Sequence, residues 1–118
     1  MMRFKRSEKL GDLIREEVSQ ILIKELKDPR IGFATITKVD VSDDLREAKI
    51  YYSVFGDERE KVESHEGLQS AKGFIKRELG RRVRMKYMPE ISFIFDDSLE
   101  YGGRIEELLR NLKDKDEE

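Results

Sequence analysis

Apolar positions along the chain repeat with two different periods, and the switches between them mark out the elements. Leu10, Leu13, Ile14, Val18, Ile21, Leu22 and Leu26 return every three or four residues, with Asp12, Arg15, Glu16, Lys24 and Lys27 between them. That spacing predicts an amphipathic helix with one long apolar face. Ser7 is its expected N-cap. Asp28-Pro29 ends it, because the residue before a proline is pushed out of helical geometry. The period then drops to two. Residues 34–42 predict a strand with Phe33, Thr35, Val39 and Val41 on one face and Ile36, Lys38 and Asp40 on the other. Residues 46–55 predict a second strand, with Ala48, Ile50, Tyr52 and Val54 inward and Lys49, Tyr51, Ser53 and Phe55 outward. Ser42-Asp43-Asp44 supplies turn chemistry between them.

After Gly56, Asp57 and Glu60 have the spacing of a capping box and open a helix over residues 58–70 with a weak apolar face of Val62, Leu68 and Ala71. Gly73 interrupts the pattern, since glycine weakens a helix interior and permits turn geometry. The expectation is a kink at Ala71 and Gly73, then a second helix. In that helix Ile75, Leu79 and Val83 form the apolar stripe, with Arg77, Arg81 and Arg84 nearly opposite. Pro89 opens a third strand, residues 90–96, on which Ile91, Phe93 and Phe95 alternate. Ile105, Leu108, Leu109 and Leu112 sketch a short closing helix, and residues 113–118 are charged throughout. The expected architecture is one α+β domain over residues 1–112, ordered α-β-β-α-kink-α-β. It has a three-stranded sheet with helices packed on one face and a frayed tail at residues 113–118.

At 118 residues and 37% hydrophobic the chain supports one modest core. The 42% of charged residues far exceeds the roughly 25% of ordinary globular domains. The absence of cysteine excludes disulfides, thiol nucleophiles and thiolate metal sites. No apolar run approaches the roughly 18 residues of a membrane span, and the first residues lack the apolar core of a signal peptide. A cytoplasmic protein is expected. The net charge of −2 argues against a generic nucleic-acid binder, but the charge is segregated. Lys72, Lys76, Arg77, Arg81, Arg82, Arg84 and Lys86 crowd one stretch that holds a single acid, Glu78, and Lys5 and Arg6 belong to a short basic arm. A guanidinium face of this kind suits phosphates. The bland alternative is a solvated helix whose cations favour its C-terminal half through the helix dipole.

Catalytic chemistry finds no foothold. There is no phosphate-binding glycine loop, no zinc-binding helix motif and no nucleophile elbow. Asp43-Asp44 and Asp96-Asp97 have simpler roles at a turn and a strand end. His65, the one histidine, comes with no catalytic motif or ligand set and is expected on a helix surface. No enzyme activity, metal or cofactor is expected. Tyr51 and Phe55 next to Lys49 fit base stacking, or packing beneath a neighbouring element.

The segments KELKDPRIGFATIT (residues 24–37), VSDDLREAKIYYSVFG (41–56), AKGFIKRELGRRVRMKYMPEISFIFDDS (71–98) and GRIEELL (103–109), in that order and spacing, resemble the ribosome-binding factor A family, whose fold is of the type II KH kind. KH domains clamp a nucleic-acid backbone with a GXXG loop between two helices. Here Ala71-Lys72-Gly73 stands in its place. The resemblance therefore implies contact through the basic helix rather than a GXXG clamp. It further implies a non-catalytic assembly factor that binds free small (30S) ribosomal subunits and their 16S RNA during late maturation and supports growth in the cold. The RNA-binding residues carried over are Lys5, Arg6, Arg77, Arg81, Arg82 and Arg84, to which the charge pattern adds Lys72, Lys76 and Lys86, in a chain expected to be monomeric. A protein-interaction module that offers the same basic face to an acidic partner is the alternative.

Overall fold

The computed structural model describes residues 5–32 and 34–98. The expected closing helix (Ile105, Leu108, Leu109, Leu112), the tail 113–118 and Phe33 lie outside the described residues. Elements follow in the order α1 (Arg6–Lys24), a 3-10 turn (Pro29–Ile31), β1 (Ala34–Val41), β2 (Glu47–Val54), α2 (Glu58–Arg82) and β3 (Glu90–Phe95). β2 is the central strand, antiparallel to β1 and parallel to β3. The return from β2 to a parallel β3 requires a long crossover, which α2 supplies.

The α+β class and the three-stranded sheet are as expected from the sequence. Ala48, Ile50, Tyr52 and Val54 of β2 join Ile91 and Phe93 of β3 in one buried cluster with Ile14, Val18 and Ile21 of α1 and Leu68, Ile75 and Leu79 of α2. Both helices therefore cover the same sheet face. α1 begins two residues earlier than the serine signal suggested. Lys5 holds the N-cap position without a side-chain hydrogen bond, and Ser7 lies buried inside the first turn. Gly11 brings α1 close to β1, since a Cβ there would stand 2.8 Å from the Val39 carbonyl oxygen.

Two expectations need correction. The first concerns β1, where the pairing shifts register between Ile36 and Lys38. A bulge places one extra residue, Thr37, in the strand and reverses which parity faces inward. Ile36 is buried before it, and Val39 and Val41 pack on the core after it, while Thr35 is exposed. Simple alternation had put Ile36 on the face opposite Val39 and Val41, and Thr35 on theirs.

The second concerns Ala71 and Gly73. There is no kink. α2 runs unbroken for 25 residues, and no glycine among the described residues has a positive φ. The reason is the continuity of its buried stripe. Ser64, Gly67, Leu68, Ala71, Ile75 and Leu79 keep helical spacing straight through residue 73. Burying that stripe outweighs the ~1 kcal/mol that glycine costs a helix interior. Gly73 itself is exposed, and a Cβ added there meets nothing. The expected pair of helices is one.

Candidate nucleic-acid interface

α2 carries the basic stretch to the end of the helix and one turn past it. Asp57 caps its start by accepting from the Glu60 N–H at 2.9 Å. At the other end the Val83 N–H bonds the Leu79 carbonyl and the chain turns extended at Val83. Arg84 and Lys86 consequently leave the helix and belong to the segment that leads into β3. The helical face expected for Arg77, Arg81 and Arg84 thus holds only its first two members. Val83 stays buried, so the apolar stripe continues where the helix itself does not.

Tertiary structure sorts the seven cations into two groups. Lys72 and Lys76 reach Glu90 at the start of β3, at 3.6 and 3.4 Å. Arg82 meets Glu17 at 3.4 Å, Glu78 at 3.6 Å, and Glu25 as well, tying α2 to α1. These three cations are structural cross-links; the seven bases now face four acids instead of one. Arg77 and Arg84 are exposed and make no ion pair among the described residues. Arg81 pairs with Glu78 at 3.2 Å, yet its side chain is 77% exposed. A solvated pair of that kind holds its arginine weakly. Lys86 is exposed, with its ammonium 5.5 Å from the Tyr87 ring. The residues free to meet an anion are therefore Arg77, Arg81, Arg84 and Lys86.

Lys5 and Arg6 are exposed at the first turn of α1, with no ion pair among the described residues. Cations at a helix N-terminus sit at the wrong pole of the helix dipole. The fold gains nothing from them there.

Two residues escaped the sequence. His65 is no bare surface residue: its Nδ1 lies 2.7 Å from the hydroxyl of buried Tyr52, with the rings stacked at 6.0 Å. The loop residue Tyr87 is 62% exposed, and only its place beside Lys86 hinted at a role. On the outer sheet face Tyr51 is half-buried under Lys38, whose ammonium sits 4.4 Å from its ring, and Phe55 is 88% exposed.

One member of each acidic pair is occupied by the fold. Asp44 accepts from the Ser42 hydroxyl and the Arg46 N–H, and Asp96 from the Thr37 hydroxyl and the Ser98 N–H. Among the described residues no three acidic or histidine side chains cluster to hold a metal, and no helix is long and apolar enough to cross a membrane.

The model of the family described as ribosome-binding factor A matches residues 6–109. Ribosome-binding factor A of Halothermothrix orenii is 51% identical over 116 residues, which cover 98% of this chain and 95% of that protein. The Geobacter sulfurreducens protein of the same name is 51% identical over 93% of each chain. Among solved structures, a Thermotoga maritima protein described as a putative ribosome binding factor A superposes with a TM-score of 0.68. It is 32% identical and covers 80% of this chain and 90% of that one. A homology model of Thermus thermophilus ribosome binding factor A, fitted into the cryo-EM map of a complex of 30S with ribosome binding factor A, gives a TM-score of 0.64. That match covers 77% of this chain and 96% of the other and, at 24% identity, is a likeness of fold.

Proposed function

The chain belongs to the ribosome-binding factor A family, and on that premise we propose that it binds the free small ribosomal subunit through its 16S RNA as a non-catalytic, cytoplasmic, monomeric factor of late subunit maturation. Membership over residues 6–109 carries this reading. The choice of subunit follows the Thermus thermophilus family member, which was placed in a 30S complex. Support for growth in the cold is part of the same proposal.

The surface assigned to the RNA is the exposed set Arg77, Arg81, Arg84 and Lys86, extended by Lys5 and Arg6. Arginine grips phosphate through two parallel hydrogen bonds, a geometry that lysine lacks. Each phosphate neutralised also releases condensed counterions, so affinity falls with salt. Lys72, Lys76 and Arg82 contribute less directly, because Glu90, Glu17, Glu25 and Glu78 already hold them. They fix the helix that presents the others.

Sedimentation of a cell extract tests the proposal. The protein is expected with free small subunits, absent from large subunits, and released by ribonuclease. Migration with no ribosomal particle, or co-sedimentation that survives complete RNA digestion, overturns it in favour of a protein partner.

A further inference from the structure

Beside the basic end of α2 lies a cleft of about 410 Å³ lined by Arg46, Tyr87, Met88 and Glu90. It opens between the start of β2 and the segment that carries Arg84 and Lys86. The Glu90 N–H holds its two sides together by donating to the Arg46 carbonyl at 2.7 Å. Tyr87 is 62% exposed and Met88 37%. The Met88 methyl rests over Gly80, where even a Cβ would come within 3.4 Å of it. Met88 thus adds an apolar side chain to a mostly polar cleft beside a solvent-facing ring.

We propose that this cleft takes one unpaired nucleotide of the bound RNA, its base stacked on Tyr87 and its flanking phosphates on Arg84, Lys86 and Arg46. This rests on the small-subunit reading above. Three observations carry it. An exposed aromatic ring in a cleft larger than a nucleobase is a stacking platform, and stacking tolerates any base because every base has a π-face. The Lys86 ammonium lies over one face of that ring, 5.5 Å from its centroid, so a base would stack on the other face with a cation within reach of its phosphate. Glu90, 68% exposed at the cleft wall and already paired with Lys72 and Lys76, keeps carboxylate lone pairs that accept hydrogen bonds from the amino group of a base. A base-paired helix cannot offer a base to such a cleft; an unpaired nucleotide, splayed from its neighbours, can.

The chain contains no tryptophan, so Tyr87→Trp creates a single reporter at the cleft. Titration with short single-stranded oligoribonucleotides is expected to quench it. Tyr87→Ala should weaken oligonucleotide binding about tenfold, within the range for one base on one ring, with the salt dependence unchanged because no phosphate contact is lost. Tyr87→Phe should bind as wild type. Wild-type affinity in Tyr87→Ala, together with an unquenched tryptophan, overturns the cleft. So does quenching by polyglutamate but not by RNA, which assigns the cleft to an acidic protein. Failure of the wild-type chain to bind oligonucleotides while it still co-sediments with small subunits also overturns the cleft and leaves the subunit reading standing. Loss of co-sedimentation itself removes the reading beneath it.

Discussion

The Tyr52 hydroxyl and His65 Nδ1, thirteen residues apart in the chain, lie 2.7 Å from each other where β2 passes under α2. Tyr52 is 1% exposed and also meets the edge of Phe95 at 5.7 Å, so this contact is the polar outlet of an otherwise apolar side chain. Tyr52→Phe keeps the ring and deletes the outlet. It is expected to lower stability in urea by about 1 kcal/mol, the net worth of a typical hydrogen bond. Burial also raises the Tyr52 hydroxyl above its ordinary 10.0. The folded protein then holds this proton more tightly than the unfolded chain. Stability is full below pH 10.0 and falls as pH rises past it, and Tyr52→Phe should flatten that alkaline loss.

Two glycines should respond oppositely to alanine. At Gly73 the added methyl meets open space in a continuous helix, so Gly73→Ala should stabilise by about 0.5–1 kcal/mol. At Gly11 the methyl would press on the backbone carbonyl of Val39. A carbonyl cannot rotate away as a side chain can, so Gly11→Ala should cost about 1–3 kcal/mol. Thermal melts of the two variants check both signs. A loss of stability in Gly73→Ala would mean that the helix needs glycine's freedom after all.

Asp96 sets part of the acid limit. Hydrogen bonds from Ser98 and then Thr37 hold its carboxyl below the ordinary 3.8. The folded state therefore releases this proton more readily than the unfolded chain, and the stability it contributes is present above pH 3.8 and lost as pH falls below it. Asp96→Asn should lower the melting temperature at neutral pH and reduce the further drop on acidification. Asp28 and Asp44, lowered by hydrogen bonds from Arg30 and Ser42 in turn, keep some of that drop in place.

The arginines of α2 should separate into two kinds on mutation. Arg77→Glu, Arg81→Glu and Arg84→Glu together should leave the fold nearly intact, since exposed changes usually cost within about 0.5 kcal/mol each. Subunit binding should collapse. If about five phosphates are engaged, log affinity of the wild type falls against log salt with a slope of about −3.5 to −4.5; the variant should be visibly shallower. Arg82→Glu is expected to act through folding, costing about 2 kcal/mol by placing a fourth acid among Glu17, Glu25 and Glu78. Urea titration and sedimentation, run on both, tell the two effects apart.

Alternation made β2 and β3 legible from the sequence, because every inward position of β2 is apolar and the strand has no irregularity. β1 was legible in extent but not in facing. One unpaired residue at Thr37 inverts the parity, and no property of threonine announces it. Gly73 misled for a related reason. A local propensity worth ~1 kcal/mol was weighed without the stripe of Leu68, Ala71, Ile75 and Leu79 that overrides it. The basic stretch itself was plain. What sequence distance hid was its neutralisation, since Glu17, Glu25 and Glu90 reach it only once the helices have packed.

The Thr37 bulge bears on the protein's life at high concentration. Among the described residues β1 is paired on one side only, which leaves a row of backbone donors and acceptors able to recruit the same strand from a second molecule. A straight eight-residue strand would be a good template. The bulge bends this one, and Lys38 and Asp40, both exposed just beyond it, attach charge to the stretch an incoming strand would have to line. The irregularity that defeated simple alternation thus guards an open sheet margin against aggregation.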